Sequence, residues 1–397
     1  MTNEPSRPWL VLTGLALGVC VTNGFARFAY GLILPAMKSE LGWTYAQAGW
    51  LNTANALGYI AGAIITMVLI SRVNPSHLFT FGLVTTAVAL FATGFDPALW
   101  WQTMWRILAG FFGAMSFSTA GALTAQLFQN DARKNALAIA LLFGFGGGLG
   151  IVLAGAVLPI MLDRFGDSSW PMAWTLIGIA CFAMLPLGIW SATRVHPPPQ
   201  ETHVKPRLPL RSMLAEMAGY ACFGLGYIVY FTFLSVWMTE QGAGAVLIAF
   251  VWVMLGICLC VSPFVWRPVF ARFTSGLPLA MVLTGIATGS VLPVIWPTSA
   301  ALTVSAIIFG LSVFMSPSAV TNFIRHNLPA QSWGAAISLF TVIFAVAQTV
   351  GPYGAGLIGD MSGDIGTSLV AAAIVLMIGA IFALTQRPLQ KQTQQSE

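Results

Sequence analysis

The chain has little charge, few cysteines and no polar stretch of domain length. Only 7% of its 397 residues are charged, whereas 57% are hydrophobic. Because soluble domains carry about 25% charged residues, this composition excludes an ordinary soluble protein and indicates an integral membrane protein. The five cysteines lie in apolar stretches without metal-site spacing. We therefore expect them to be packing residues rather than disulfides or metal ligands.

The chain also lacks the residue sets that membrane enzymes, channels and ATP-driven pumps require. Its apolar stretches contain no His-Asp-Ser set and no paired carboxylates, and no repeated segment suits a selectivity filter. The run from Gly146 to Gly148 is not followed by the Lys-Ser/Thr of a phosphate loop. We therefore expect no enzyme activity and no cofactor.

Long apolar runs dominate the sequence instead. A helix needs about 20 apolar residues to cross the hydrocarbon core of a membrane. The runs are continuous rather than alternating, which predicts helices and not barrel strands. We predict an all-α protein with twelve transmembrane helices at residues 9–34, 45–70, 77–95, 98–128, 135–162, 171–192, 212–237, 245–265, 278–296, 299–324, 333–358 and 367–386.

Basic residues are distributed unequally between the two sides of these spans. With the N-terminus placed inside, only Lys38 and Arg164 lie in outer loops. The inner loops and tails hold Arg7, Arg72, Arg133, Lys134, Arg194, Lys205, Arg207, Arg211, Arg267, Arg272, Arg325, Arg387 and Lys391. The positive-inside rule then predicts a multi-pass protein of the cell inner membrane with both termini in the cytoplasm. The net charge of +5 reflects this orientation rather than nucleic-acid binding.

A polar, proline-containing segment at 193–211 divides the spans into six and six. We predict an N-terminal six-helix bundle at 1–192, a cytoplasmic linker at 193–211 and a C-terminal six-helix bundle at 212–397. The two halves also resemble each other. A shift of 200 residues aligns Gly24, Tyr30, Gly42, Gly110, Met115 and Ser116 with Gly224, Tyr230, Gly242, Gly310, Met315 and Ser316. These matches predict a duplicated, pseudo-symmetric six-helix unit.

Three stretches carry a resemblance to a known family. They are Arg27-Phe28-Ala29-Tyr30 with Asn55-Ala56-Leu57-Gly58-Tyr59, Arg106-Ile107-Leu108-Ala109-Gly110, and Gly226-Tyr227-Ile228-Val229-Tyr230. The chain resembles the major facilitator superfamily over essentially its whole length, and within it the YbfB/YjiJ-type branch. The resemblance implies alternating access and a central cavity lined by spans one, four, seven and ten. The loop after span two, Ser71 to Ser76, lacks the aspartate usual in the superfamily, which puts its charge relay in doubt.

Arg27 and Arg106 are the only basic residues inside predicted spans. A charge at a span centre costs about 2.5–3.5 kcal/mol on insertion scales, so each needs a partner, water or a ligand. Counting about 1.5 Å per residue from Pro35 and from Leu99 places both roughly 10–12 Å below the outer helix ends. The N-terminal half offers no carboxylate at that depth. We therefore predict an anion site, most simply for a small organic carboxylate, since guanidinium groups suit carboxylates.

Further buried polar residues are candidates for the same site. They are Tyr30, Asn52, Asn55, Tyr227, Tyr230 and Gln348. Tyr227 is the repeat equivalent of Arg27, so the positive charge is confined to one half. Each of these residues, and Arg106 as well, could instead hold neighbouring helices together. Glu216, near the start of span seven, is interpreted as an interfacial partner of Arg211 in preference to a proton site.

The sequence thus predicts a secondary transporter of a small solute, acting as a monomer. The alternative is an exporter of hydrophobic or drug-like compounds in which Arg106 is structural. Proton coupling could arise from the carboxyl group of the substrate, from water linked to an arginine, or not at all.

Overall fold

The part of the chain that the structure describes forms twelve long helices. The computed structural model describes residues 7–195 and 208–389, and that part contains no β-strand. The helices are α1 Pro8–Leu41, α2 Tyr45–Leu69, α3 Pro75–Thr93, α4 Leu99–Thr124, α5 Arg133–Phe165, α6 Asp167–Thr193, α7 Leu210–Glu240, α8 Ala245–Arg272, α9 Leu277–Ile295, α10 Ser299–Asn327, α11 Trp333–Ser362 and α12 Ile365–Thr385. Each is long and apolar enough to cross a membrane, which confirms the all-α class and the twelve predicted spans. Most of the predicted linker, 196–207, lies outside the described residues, so the domain limits stay a prediction.

The first helix is longer than predicted, and this corrects the depth estimate. It continues through Pro35 to Leu41 and ends at Gly42, whose φ of 64° suits glycine. A proline is tolerated inside a membrane helix when neighbouring groups satisfy the freed carbonyl. The depth of Arg27 counted from Pro35 was therefore too small by about 9 Å.

A π-helical segment interrupts the middle of α1. It runs from Cys20 to Phe28 and includes both Asn23 and Arg27. Such wide turns are uncommon and occur often at functional sites, because the extra residue per turn changes the direction of side chains. The segment thus places Arg27 in a locally distorted part of the helix.

Equivalent glycines make equivalent helix contacts in the two sets of six helices. In α1, a Cβ added to Gly24 would lie 2.6 Å from the Cα of Gly150 in α5. In α7, a Cβ on Gly224 would lie 2.9 Å from the Cβ of Ala347 in α11, and Gly351 of α11 approaches the carbonyl of Leu225. Small residues allow helix backbones to approach closely in membranes. The aligned glycines of the sequence repeat therefore lie at equivalent helix contacts.

The two sets of helices meet through α2 with α11, α5 with α8, and α1 with α7. At the first contact Gly49 lies against the carbonyl oxygen of Pro352, with no room for a side chain. At the third, Gly31 lies in the same way against the carbonyl of Phe231. These contacts close the bundle near the C-terminal end of α1.

A polar cluster reinforces this closed end, and we call Lys38, Tyr45, Glu240 and Asp360 the latch. The backbone N–H groups of Tyr45 and Ala46 donate to the Asp360 carboxylate at 2.7 and 2.9 Å. Glu240 accepts from the Tyr45 hydroxyl at 2.7 Å and pairs with Lys38 at 3.4 Å. A carboxylate at a helix N-terminus is favourable because unpaired N–H groups and the helix dipole meet it there. The latch therefore ties α1 and α2 to α7 and α11.

Replacing Asp360 by alanine is expected to open the latch end. Two charge-assisted hydrogen bonds are lost, worth about 1–2 kcal/mol together at this partly exposed site. We expect hydrogen–deuterium exchange of residues 43–50 to become about 5- to 30-fold faster, read by mass spectrometry on the protein in nanodiscs.

Asp364→Ala is the matched control, because Asp364 accepts from Gly366 N at 2.8 Å within its own half of the molecule. It should accelerate exchange only at the start of α12. Unchanged exchange at 43–50 in Asp360→Ala would show that the latch does not hold this end closed.

Candidate functional site

A cavity of about 670 Å³ lies between the helices. It extends from Asn322 and Arg325, at the end of α10, to Arg27 in the middle of α1. Helices α1, α4, α7 and α10 all contribute, as the family resemblance implies, and so do α2, α5, α8 and α11. The mouth thus lies at the end of the bundle that carries the basic loops, and the latch closes the opposite end.

Arg27 lies at the deep end of this cavity and is only 8% exposed. Its Nη2 donates to the hydroxyl of Tyr227 at 2.6 Å and also to the side-chain oxygen of Gln348. Tyr227 in turn donates to that same oxygen at 3.0 Å. Nε and Nη1 of Arg27 have no hydrogen-bond partner among the described residues. The guanidinium is therefore held from one side by the C-terminal half.

Aromatic rings surround the Arg27 guanidinium. Its Cζ lies 5.0 Å from the ring centre of Tyr59, and about 6 Å from those of Phe28, Tyr227 and Phe344. Cations over aromatic faces are stabilised by about 0.5–2 kcal/mol each, more when water is excluded. This cage lowers the cost of burying the charge without neutralising it.

No acidic side chain among the described residues neutralises Arg27. None lines the cavity, and the ion pairs of the described residues, Lys38 with Glu240 and Lys134 with Asp131, include no residue that lines it. The deep end of the cavity is therefore positively charged.

Arg106 occupies a different environment. It is fully buried and is not among the residues that line the cavity. Its Nη1 donates to the carbonyl of Ala26 at 2.7 Å, and its Nη2 donates to Oδ1 of Asn52 at 3.0 Å. Its Cζ lies 4.8 Å from the ring centre of Tyr30. Arg106 thus joins α4 to α1 and α2, which is the helix-holding arrangement considered from the sequence.

The other predicted site residues also join helices. Asn52 donates to Thr232 at 2.6 Å, and Asn55 donates to the carbonyl of Arg106 at 3.0 Å. Tyr30 donates to the carbonyl of Ala48 at 2.8 Å. The hydroxyls of Tyr230 and Ser305 form a hydrogen bond of 2.7 Å. Of the eight predicted residues, Arg27 and Tyr227 line the cavity. Gln348 does not line it but accepts hydrogen bonds from both of these residues. A ligand contact by Tyr30, Asn52, Asn55, Arg106 or Tyr230 stays a prediction that this geometry does not favour.

Sequence reasoning identified Tyr227 but missed most of the other aromatic residues that line the cavity. Tyr59 of α2 follows Asn55 by four residues. On α7, Phe223 follows Tyr220 by three residues and Tyr227 follows Phe223 by four. These spacings put side chains on one helix face. The stripe on α7 was a usable signal, and so was the four-residue spacing of Phe340, Phe344 and Gln348 on α11.

A family model matches residues 19–384, and its description is "Uncharacterised MFS-type transporter YbfB". The chain belongs to this family. The family is one of transporters, not enzymes, in line with the sequence-based expectation, and this YbfB-type chain is a multi-pass membrane protein.

Curated relatives match the YbfB-type chain at low identity. The "Chloramphenicol resistance protein" of Streptomyces lividans is 25% identical over 94% of this chain and 95% of that protein. A Haemophilus influenzae protein that is assigned as a metabolite transporter is 27% identical over 42% of this chain. A rice protein (Oryza sativa subsp. japonica) that is assigned as chloroplast anion transporter 3 is 24% identical over 39% of this chain. The chain spans only 40% and 29% of the lengths of these last two proteins.

Solved structures share the fold of the YbfB-type chain. A bacterial homologue of the human lysosomal transporter Spinster, inward-facing and unoccupied, superposes with a TM-score of 0.70, at 16% identity over 95% of this chain and 96% of that one. The nucleoside transporter NupG gives 0.72 at 12% identity, over 96% and 100%. Likenesses at this identity concern the fold alone.

Glu216 corrects one further expectation for the YbfB-type chain. The predicted pair with Arg211 is wrong, since Arg211 is exposed on a 3₁₀ turn while Glu216 is fully buried. Neither carboxylate oxygen has a hydrogen-bond partner among the described residues. The carboxylate lies against Gly276, at the N-terminus of α9, where a helix dipole favours negative charge. Glu216 is not among the residues that line the cavity.

Proposed function

We propose that the protein is a secondary transporter that carries a small organic anion, a carboxylate, across the cell inner membrane by alternating access. The observation that supports this most directly is Arg27, a cation at the deep end of a cavity without an acidic side chain. A permanently charged guanidinium in a low-dielectric site favours an anionic ligand.

The contacts of Arg27 leave it ready to bind. Tyr227 and Gln348 fix the guanidinium through Nη2, which reduces the entropy that a ligand must remove. The N–H groups of Nε and Nη1 remain for carboxylate oxygens, and charged hydrogen bonds of this kind are the stronger ones. Arg27 and Tyr227 are thus the proposed substrate contacts, with Gln348 supporting both.

The state of the bundle supports alternating access. The cavity lies open at the basic end and the latch closes the other, and the positive-inside rule supports a cytoplasmic position for the open end. The six-plus-six helix arrangement supplies two bodies that can rock about the site. We propose a monomer that exchanges this conformation for one with the latch broken.

No acidic side chain among the described residues lines the cavity, so the cavity itself offers no carboxylate as a proton site. Proton coupling is not part of this proposal, because the substrate binds Arg27 as the charged carboxylate and not as the neutral acid.

A second candidate is an exporter of hydrophobic or drug-like compounds. Ten of the 25 residues that line the cavity are aromatic, and Arg106 is not among the 25 but bonds helices together. The full-length relative that is named for chloramphenicol resistance points the same way, at 25% identity.

Binding measurements on the purified protein separate the two candidates. We expect simple carboxylates such as butyrate and benzoate to raise the unfolding temperature and to be taken up by proteoliposomes. Their amides, which match them in shape but lack the charge, should bind at least about tenfold more weakly, because the charged hydrogen bonds to Arg27 are lost. Stabilisation only by neutral or cationic lipophilic compounds would contradict the anion proposal and favour the exporter.

A further inference from the structure

We infer that the preferred substrate is an aromatic monocarboxylate, with its charge at Arg27 and its ring between two aromatic walls. This inference rests on the proposed function and names the chemical class of its substrate. It is carried by the shape and composition of the cavity beyond Arg27.

The first wall is a set of nearly parallel rings on α7 and α11. Phe223 stacks on Tyr227 at 4.6 Å between ring centres and 22° between planes, and on Tyr220 at 5.5 Å and 23°. Phe344 lies 5.4 Å from Phe223 at 18°. All four side chains line the cavity. The wall starts next to the guanidinium, because Tyr227 accepts a hydrogen bond from Arg27.

The second wall comes from the N-terminal half and is made by Tyr59, Phe117 and Phe143. Phe117 lies 4.7 Å from Phe143 and 6.3 Å from Tyr59, and the Tyr59 ring is the one nearest Arg27. All three line the cavity. The space between the walls is therefore bounded by π-faces and ring edges from both halves, which is the surrounding that an aromatic ring prefers over an aliphatic chain.

The charges of the cavity limit the substrate to one carboxylate at depth. Arg27 is the deep cation, and Arg325 is exposed at the mouth, where water can solvate it. A second carboxylate held between the aromatic walls would be desolvated without a partner, which is costly. The volume of about 670 Å³ is well within the range of pockets for small organic ligands.

Four matched probes test this inference on the full-length protein. They are 3-phenylpropionate, 3-cyclohexylpropionate, 3-phenylpropionamide and glutarate, and affinity is measured by isothermal titration or by competition for uptake. The cyclohexyl compound keeps the acid and the size but lacks the π-face. We expect 3-phenylpropionate to bind about three- to tenfold more tightly than 3-cyclohexylpropionate, and more tightly still than the amide and glutarate.

A variant pair locates the effect in the first wall. Phe344→Leu should reduce the preference for phenyl over cyclohexyl to near unity while carboxylates still bind. Phe182→Leu removes a ring that packs on Phe91 outside the cavity and should leave the preference unchanged. Similar thermal unfolding of the two variants ensures that the comparison concerns binding.

The outcomes separate this inference from the function on which it rests. If the cyclohexyl acid or glutarate binds as well as the phenyl acid, the aromatic inference is overturned and the anion transporter stands. If the amide binds as well as the acid, or if no acid binds to the folded protein, both are overturned. A preference that survives in Phe344→Leu but not in Phe182→Leu would also overturn the assignment of the ring site.

Discussion

Carboxylate uptake by Arg27→Ala is expected to be about 30- to 1,000-fold slower than by the wild type. The substitution removes the deep cation, and a charged hydrogen bond to a buried ligand is worth about 2–4 kcal/mol. Tyr227 and Gln348 would keep each other as partners at 3.0 Å, so the fold should survive. The measurement is the initial rate of uptake into proteoliposomes at matched protein content.

Arg27→Lys refines the test. Lysine keeps the charge but lacks the planar fork that donates at once to Tyr227, Gln348 and a carboxylate, so we expect recovery to only about one tenth of the wild-type rate. Arg325→Ala, at the exposed mouth, should change uptake only a few-fold and less at high salt. If both Arg27 variants carry the substrate normally, the anion proposal fails.

The second large effect is expected for the stability of Arg106→Ala. Truncating this fully buried side chain leaves a cavity and deprives the Ala26 carbonyl and Asn52 of their donor. We expect a loss of about 3–5 kcal/mol in the free energy of unfolding, from the cavity and the unsatisfied groups together. Asn52 also donates to Thr232, so the loss weakens the contact between the two sets of helices.

Stability and binding measurements distinguish a structural role of Arg106 from a role in ligand binding. Thermal unfolding in detergent should show Arg106→Ala strongly destabilised, and whatever folded protein remains should bind carboxylates with unchanged affinity. Arg106→Met fills most of the volume and should recover part of the stability, because it restores packing but not hydrogen bonding. Wild-type stability combined with lost binding in Arg106→Ala would instead make Arg106 a ligand contact.

Much of the architecture was predictable because membranes impose simple demands. Continuous apolar runs predicted twelve helices, and the structure confirms their number, although α1 extends to Leu41. The cost of a charge in hydrocarbon singled out Arg27 and Arg106. Their environments could not be separated in this way, because burial cost alone does not distinguish a cavity from a neighbouring helix.

Contacts between distant parts of the chain were beyond the sequence argument. Lys38 was placed in an outer loop, yet it is part of α1 and pairs with Glu240 of α7. Glu216 was expected to pair with Arg211, five residues away, but Arg211 lies exposed on the 3₁₀ turn at the start of α7 whereas Glu216 is buried. In both cases the partner, or its absence, depends on how helices pack rather than on separation along the chain.

The sequence by itself therefore determined the membrane class, the number of helices, the family and the presence of two buried arginines. Tertiary structure alone decided that Arg27 faces a cavity inside an aromatic cage while Arg106 bonds helices together. The physical reason is that a membrane helix is apolar toward lipid, toward its neighbours and toward an aromatic cavity alike. Hydrophobic periodicity cannot tell these faces apart, and only the packing of α1 against α2, α4, α7 and α11 does so.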